Sequence, residues 1–321
     1  MNTAAMVNGT AIGIIVTTTR RATCSAIDRP PFGHHIRRYS TAGSAIKSSP
    51  APMSRQCHHE RGGCGLQPTY DFPMSFVVSP DAYTRYMGRY AEPLAKVFVA
   101  FAGIGSGGKV LDVGCGPGAL TAELLSGGAE VTAIDPSPPF VDAISARFPE
   151  IEVRRGTAEE LPYDTAAFDA ALAQLVVHFM TDPVLAIGQM ARVTRPGGVV
   201  AACVWDGPTG ALAPFWDAVH VIDPEAEDEA LLSGAHRGHL TELFDAAGLR
   251  DVEEDSIAVD VVHPTFEEWW EPYTFGVGPA GDYVQRLDDE GRARLASVTR
   301  ERLGNGPFTV TATAWAARGT V

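Results

Sequence analysis

The sequence predicts an α/β fold built on a parallel, doubly wound sheet. Apolar strand-like segments alternate with helical segments from residue 109 onward, and the first strand runs into the glycine-rich turn VLDVGCGPGA (110–119). Helical crossovers connect strands that lie parallel, so this alternation is typical of a doubly wound sheet. The last two strand segments have no strand–helix–strand crossover between them, which indicates an antiparallel hairpin carrying a large insertion.

The alternating region contains five predicted strands. They lie at 109–113, 130–134, 151–155, 168–177 and 199–205, and helices are predicted at 119–125, 139–148 and 183–193. The fourth strand is apolar nearly throughout, as expected for a strand covered on both faces. One or two lead-in helices are predicted over 80–102, because proline and aspartate open this stretch and glycine closes it.

Beyond the fifth strand the alternation stops. An amphipathic helix is predicted at 239–249, a strand at 257–262 and a last strand, rich in Thr, Val and Ala, at 308–318. The residues between these two strands, about 263–306, are predicted to form a helical insertion.

Composition and charge limit the kinds of partner that this protein is expected to bind. The chain has 321 residues, is 45% hydrophobic, and contains no apolar run near the roughly 20 residues that span a bilayer, so no membrane association is expected. Residues 71–321 contain 37 acidic and 17 basic residues, a balance that repels phosphate backbones and argues against a nucleic-acid partner. Five cysteines, an odd number, do not suggest a disulfide framework and indicate a cytoplasmic protein.

The first 73 residues are expected to be a disordered or spurious N-terminal extension, with the folded domain at 74–321 and Met74 as a sensible start. Their Arg- and Ser-rich, acid-poor composition also resembles an organellar transit peptide, which remains an alternative. The cluster Cys57, His58, His59 and Cys64 lacks the repeated ligand pairs of structural zinc sites, so no metal is predicted.

Two ligands fit the glycine turn. Gly114, Gly116 and Ala119 satisfy the dinucleotide pattern G-x-G-x-x-G/A, and Asp135, at the end of the second strand, suits ribose hydroxyls of either a dinucleotide or a sulfonium nucleoside. Asp112 discriminates between them. Its carboxylate would repel a pyrophosphate but attract the ammonium group of a methionine where water is scarce.

Five ordered segments carry a resemblance to a known family. They are LDVGCGPGALT, VTAIDPS, GTAEELP, FDAALAQLVVHFM and ARVTRPGGVVAACVW. In this order and spacing they resemble the class I S-adenosylmethionine-dependent methyltransferases, and are most similar to the type 11 group that includes quinone-biosynthesis enzymes. The resemblance covers about residues 75–321. It implies a Rossmann-like methyltransferase fold, with a seven-stranded, mostly parallel sheet whose seventh strand is antiparallel.

The resemblance also implies the cofactor, S-adenosyl-L-methionine, and the residues that hold it. The methionine part would be surrounded by Asp112, Gly114, Cys115, Gly116 and Gly118. Asp135 would bind both ribose hydroxyls, and the adenine would meet Pro136, Ser137, Ala158 and Glu159. Gln174 and Leu175 would contact the cofactor at the end of the fourth strand. Thr157 stands where this group often has an aspartate that accepts from the adenine amine, so its hydroxyl would accept only weakly.

Methyl transfer needs alignment and exclusion of water, and needs a base only if the acceptor must lose a proton. His178, just after the fourth strand, is the candidate catalytic base by position, and a packed wall of the cofactor pocket is its alternative role. His220, His236 and His239 could also face the cleft.

The acceptor pocket is expected from segments that follow strands four, five and six. Its candidate residues are Trp205, Asp206, Phe215, Trp216, Trp269, Trp270 and Tyr273. The aromatic segment 266–287 would cover the carboxyl edge of the sheet like a lid, and Arg286 is its one cation. This composition suits a neutral, compact acceptor and not a phosphorylated one.

These observations predict methylation of a small organic metabolite at oxygen, nitrogen or carbon. A nucleotide-dependent oxidoreductase and a non-catalytic S-adenosylmethionine-binding protein are the alternatives.

Overall fold

The structure, a computed structural model, describes residues 79–321, and these form one seven-stranded sheet with helices on both faces. The strands are β1 Lys109–Val113, β2 Glu130–Asp135, β3 Glu152–Arg155, β4 Phe168–Gln174, β5 Thr194–Trp205, β6 Arg250–His263 and β7 Phe308–Thr320. The helices are α1 Pro80–Tyr83, α2 Arg89–Ala102, α3 Ala119–Ser126, α4 Pro138–Arg147, α5 Pro183–Val193, α6 Ala213–Ile222, α7 His239–Ala246, α8 Phe266–Trp270, α9 Gly278–Arg286 and α10 Asp289–Leu303. A π-helical turn, Thr84–Gly88, joins α1 to α2.

The strand order is β3-β2-β1-β4-β5-β7-β6, and this confirms the predicted fold. Strands β1 to β5 are parallel to one another, whereas β7 is antiparallel to both β5 and β6. The order reverses between β1 and β4, so the loops at the carboxyl ends of these two strands diverge and leave a crevice. Ligands of doubly wound sheets bind at such a switch point.

The central strands are buried on both faces. In β4, Leu172 packs into the hydrophobic cluster that contains α2, α3 and α6, and its neighbours Ala171 and Ala173 pack into the cluster that contains α5 and α7. Because side chains alternate across a strand, a strand between two helical layers presents apolar side chains to both. This accounts for the nearly continuous apolar run that predicted β4.

Three strands differ from the prediction by three residues or more at one end. Strand β4 ends at Gln174 rather than 177, since Leu175 takes a positive φ of 60° and Val177–Phe179 form a 3-10 turn. Strand β5 begins at Thr194, five residues early, where it already pairs with Phe168. Strand β6 spans Arg250–His263 instead of 257–262, because it is the edge strand and its first residues, largely exposed, tolerate charges.

The region beyond β5 contains one helix that the sequence analysis did not assign, α6, with Phe215 and Trp216 on its buried face. The insertion between β6 and β7 holds α8, a 3-10 turn at Glu271–Phe275, α9 and α10. Helix α2 packs against α3 and β6, and so lies over one face of the sheet.

The predicted extension at 1–73 and the cluster of Cys57, His58, His59 and Cys64 lie outside the described residues. Within residues 79–321, no helix combines the length and the apolarity that a membrane span requires.

Candidate active site

A cavity of about 210 Å³ opens at the carboxyl ends of β1, β2 and β4. We call it the glycine-loop cavity, and its lining is Tyr83, Gly114, Gly116, Ile134, Asp135, Pro136, Phe140, Gly156, Thr157, Ala158, Glu159, Gln174, Leu175, Val176, Phe179, Met180 and Thr181. The lining thus combines the turn after β1, the end of β2, the segment after β3 and the end of β4. A parallel sheet brings these four segments together although they are far apart in the sequence.

The glycines let the backbone form the floor of this cavity. Gly114 has a φ of +72°, and a Cβ atom there would lie 2.5 Å from the side chain of Val176. Gly116 has a φ of +51°, and a Cβ atom there would have no neighbour within 4 Å. The first glycine is therefore required by packing against the chain after β4. The second is required by its backbone conformation, and the position that a Cβ atom would take is open beside the cavity.

Asp135 organises the turn through both of its carboxylate oxygens. Oδ2 accepts the N–H of Gly116 at 2.9 Å, and Oδ1 accepts the N–H of Ser137 at 2.8 Å. Burial raises the pKa of Asp135 above its ordinary value, and these two donors oppose the rise. A carboxylate oxygen has two lone pairs, so each oxygen retains one with which it can accept from a ligand hydroxyl.

Two further polar groups near the turn have an oxygen without a protein partner. Asp112 accepts the hydroxyl of Thr121 at 2.6 Å through Oδ2, but its buried Oδ1 has no hydrogen bond. Gln174 donates from Nε2 to the carbonyl of Ala91 at 2.9 Å, and its Oε1 is buried without a partner. Buried polar atoms are rarely left unpaired, so both oxygens suit a ligand that brings donors.

The carboxyl group of Asp112 also has a raised pKa. Burial raises its pKa to about 7, the hydroxyl of Thr121 opposes this rise, and the charge of Asp135 adds to it. A cationic ligand group would stabilise the ionised form and reverse part of the shift.

The cofactor-binding residues predicted from the sequence are divided by the structure into two sets. Those that line the glycine-loop cavity are Gly114, Gly116, Asp135, Pro136, Ala158, Glu159, Gln174 and Leu175. Asp112, Cys115, Gly118 and Ser137 do not belong to its lining; all four are buried, and Gly118 and Ser137 precede the first turns of α3 and α4. Thr157 is exposed and belongs to the lining.

A second, smaller cavity adjoins the first. We call it the aromatic cavity, and its lining is Tyr83, Tyr86, Met87, Leu175, His178, Phe179, Val204, Trp205, Leu212, Glu229, Ala235, Val277, Gly278 and Pro279. Tyr83, Leu175 and Phe179 line both cavities, so the two cavities adjoin at these three residues. Tyr83 is held there by an edge-to-face contact with Phe140, at 5.3 Å between ring centroids.

His178 reaches the aromatic cavity, but its Nδ1 is buried and has no hydrogen-bond partner. Burial lowers its pKa to about 3, so the imidazole is neutral at physiological pH. The other histidines considered as candidates lie outside both linings. His220 contacts the carbonyl of Ala226 at 3.0 Å, His239 accepts the N–H of Gly234 at 3.1 Å, and His236 is exposed.

The predicted acceptor residues are distributed over several environments. Trp205 lines the aromatic cavity and donates its indole N–H to Sδ of Met87. Trp216 is buried behind the lining and donates to Glu229 at 3.3 Å. Trp269 and Trp270 lie in neither lining and pack against Phe266.

Three further predicted acceptor residues also lie outside both linings. Phe215 stacks on Tyr273 with ring centroids 4.6 Å apart, and Asp206 accepts the indole N–H of Trp315 at 2.7 Å.

Tyr83, Tyr86 and Glu229 are among the cavity residues that were not proposed from the sequence. Tyr83 and Tyr86 belong to the lead-in helical segment, whose aromatic residues resemble ordinary core positions. Glu229 stands in the acidic stretch DPEAEDEALL (223–232), where nothing in the sequence distinguishes it from its neighbours.

Comparisons with known proteins agree with this geometry. A family model described as a methyltransferase domain matches residues 111–202. Over 98 residues the chain is 43% identical to an uncharacterized methyltransferase of Mycobacterium tuberculosis, a match that covers 30% of this chain and only 40% of that relative. Over 157 residues it is 32% identical to the malonyl-[acyl-carrier protein] O-methyltransferase of Serratia marcescens, with 47% of this chain and 61% of that relative covered.

A solved structure gives the same fold. Phosphoethanolamine N-methyltransferase 2 of Haemonchus contortus, in complex with phosphomonomethylethanolamine and S-adenosylhomocysteine, matches with a TM-score of 0.50 at 15% sequence identity. The match covers 75% of this chain and 56% of that one, and at this identity the similarity concerns the fold alone.

Proposed function

Because this chain belongs to the S-adenosylmethionine-dependent methyltransferase family, we propose that it transfers a methyl group from S-adenosylmethionine to a small organic acceptor. The observation that carries the proposal is the pair of adjoining cavities. The glycine-loop cavity suits the nucleoside and amino-acid parts of the cofactor, and the aromatic cavity would hold an acceptor beside it, where both linings share Tyr83, Leu175 and Phe179.

The residues of the glycine-loop cavity fit this cofactor. Asp135 has acceptor capacity for ribose hydroxyls, and the unpartnered Oε1 of Gln174 suits a donor of the ammonium group. Asp112 lies outside the lining, at β1, and its charge would attract the same ammonium group. Phe140 and Pro136 supply apolar surface for an adenine ring. When bound, the cofactor supplies an electrophilic methyl group on a sulfonium.

The chain's own contribution to the reaction is alignment and exclusion of water. Leu175 is buried and holds a backbone conformation with a φ of 60°, which is costly for a residue with a side chain and is often found at functional sites. Together with Phe179 and Tyr83 it borders both cavities, and these three side chains would position an acceptor in the aromatic cavity against the cofactor. Such positioning accounts for a large part of the barrier reduction in bimolecular reactions.

The lining of the aromatic cavity favours a small acceptor without a negative charge. It includes four aromatic side chains besides His178, and it contains neither Lys nor Arg. The Serratia relative is named for malonyl-[acyl-carrier protein], and a malonyl group is an anion. A carboxylate in this cavity would find no cation and would face Glu229, so we propose a different acceptor for this chain.

Calorimetry separates this function from its alternatives. We expect S-adenosylhomocysteine to bind the full chain with a stoichiometry near one, and nicotinamide dinucleotides to give no binding heat. Binding of a nicotinamide dinucleotide without S-adenosylhomocysteine would instead support an oxidoreductase. A non-catalytic cofactor-binding protein would bind S-adenosylhomocysteine but transfer no methyl group to any acceptor.

A further inference from the structure

Glu229 is the one carboxylate in the lining of the aromatic cavity. It begins the 3-10 turn Glu229–Leu231, which is fixed by Asp228, whose Oδ1 accepts the N–H of Ala230 at 2.9 Å. The turn therefore holds the Glu229 side chain towards the cavity. The carboxyl groups of its neighbours Glu225 and Glu227 belong to exposed residues.

The surroundings of Glu229 leave its charge without a counter-ion. Its Oε2 accepts one hydrogen bond, from the indole of Trp216 at 3.3 Å, and no Lys or Arg lines the cavity. Burial raises its pKa to about 7, Trp216 opposes the rise, and the charge of Asp228 adds to it. A carboxylate in such a site is stabilised when a ligand supplies a positive charge.

The rest of the cavity suits a cation as well. Tyr83, Tyr86, Phe179 and Trp205 present aromatic rings, whose faces attract ammonium groups, and the buried hydroxyl of Tyr86 has no hydrogen-bond partner. An aromatic enclosure with one carboxylate differs from the neutral acceptor site expected from the sequence.

We propose that Glu229 binds the ammonium group of a compact amine and takes a proton from it, so that the acceptor is methylated at nitrogen. This inference rests on the proposed methyl transfer and specifies its acceptor class. The carboxylate accepts one N–H proton, which leaves the nitrogen a lone pair. That lone pair forms the new N–C bond as the methyl–sulfur bond breaks, and the bonding electrons remain on sulfur. The product is an N-methylammonium ion, and Glu229 returns its proton to water.

The other ionisable groups facing Glu229 do not perform this task. Tyr86 and Tyr273 have pKa values raised by burial and by the nearby carboxylate, so they stay protonated. His178 has a pKa lowered to about 3 by burial and remains neutral. Asp228 lies behind the 3-10 turn and contacts His220 at 3.6 Å. Glu229 is thus the group in this cavity that changes its charge near neutral pH.

The test is calorimetry of the full chain saturated with S-adenosylhomocysteine. Any proton exchange that cofactor binding causes at Asp112 and Asp135 is then complete before the amine is added. The probes are propylamine and benzylamine, with propan-1-ol and benzyl alcohol as uncharged isosteres. We expect at least one amine to bind about tenfold or more tightly than its alcohol, as a close charge pair contributes in a desolvated site. At pH 7, in buffers of different ionisation enthalpy, binding should release about half a proton, because a carboxyl of pKa about 7 is half protonated there.

Glu229→Gln keeps the shape of the side chain and removes its charge. We expect it to abolish the proton release and to weaken amine binding by about 30-fold, with unchanged affinity for S-adenosylhomocysteine. Glu227→Gln, two residues away and exposed, is the matched control and should behave as the wild type.

Equal affinities for amines and alcohols, or amine binding without proton release in the wild type, would overturn the inference even if Glu229→Gln failed to fold. If the chain still bound S-adenosylhomocysteine, that result would continue to support the proposed function. A chain that does not bind S-adenosylhomocysteine would overturn both.

Discussion

The indole N–H of Trp216 donates to Oε2 of Glu229 across 3.3 Å, and so connects helix α6 to the 3-10 turn that borders the aromatic cavity. The bond favours the ionised carboxylate and thereby moderates the effect of burial on the pKa of Glu229. It makes the acidity of Glu229 adjustable by a residue that does not itself line the cavity.

Trp216→Phe should therefore raise the pKa of Glu229 above about 7. Losing one hydrogen bond to a charged group costs about 1.5 kcal/mol at the low end, or about one pKa unit. Since the ionised form accepts the proton, the acid limb of the pH–rate profile should move to higher pH by that amount. Trp315→Phe, which removes the indole donor to Asp206, is the control. An unchanged acid limb in Trp216→Phe would show that Glu229 does not set it.

Asp135→Ala should weaken binding of S-adenosylhomocysteine by about one to two orders of magnitude, because hydrogen bonds to a charged group contribute about 1.5–3 kcal/mol. Asp135→Asn should cause a smaller loss, since one amide oxygen can still accept. Asp142→Ala, at an exposed position of helix α4, serves as the control in the same calorimetric titration. Identical dissociation constants for wild type and Asp135→Ala would contradict the ribose-binding role.

Asp112 should make the cofactor-free protein less stable as the pH rises. Its folded pKa of about 7 lies above the ordinary 3.8, so between these values the folded state retains a proton that the unfolded chain has released. The free energy of unfolding then falls with rising pH and levels off above about 7. Glu229 contributes in the same direction.

Thermal unfolding at pH 6 and pH 8 measures this effect. Asp112→Asn cannot ionise, so its melting temperature should fall less between the two pH values than that of the wild type. The same variant should bind S-adenosylhomocysteine more weakly at pH 8, because the carboxylate charge is lost. If the melting temperature of Asp112→Asn fell between pH 6 and pH 8 by as much as that of the wild type, a group other than Asp112 would carry the proton.

A chain that begins at Met74 should bind S-adenosylhomocysteine as the full chain does. The residues that line both cavities all lie at Tyr83 or beyond, and the sheet begins at Lys109. Calorimetry and thermal unfolding of the two chains provide the comparison. A large loss of affinity or of melting temperature would mean that residues before 74 contribute to the domain.

The fold and the glycine-loop cavity were predictable because they depend on local patterns. Parallel strands place their carboxyl ends at one edge, so the turn after β1 and Asp135 at the end of β2 had to lie near each other. Gly114 and Gly116 were identifiable because few other residues adopt their backbone conformations.

The acceptor side depends on tertiary packing, which residue type does not reveal. Trp269 and Trp270 were expected at the acceptor, whereas the structure places them against Phe266, and only Val277–Pro279 of the insertion reach the aromatic cavity. Glu229 carried no local signal, since its importance comes from the missing counter-ion around it.

Methyl transfer itself tests the account most directly. The full chain, incubated with S-adenosylmethionine labelled in its methyl group and a library of small amines, alcohols, phenols and carboxylates, should label at least one small molecule and produce S-adenosylhomocysteine in equal amount. Asp135→Ala, assayed at a cofactor concentration near the wild-type KM, should slow this reaction about tenfold or more. Labelling confined to RNA, protein or phosphorylated compounds, or formation of no labelled product from any class, would contradict a small-molecule methyltransferase.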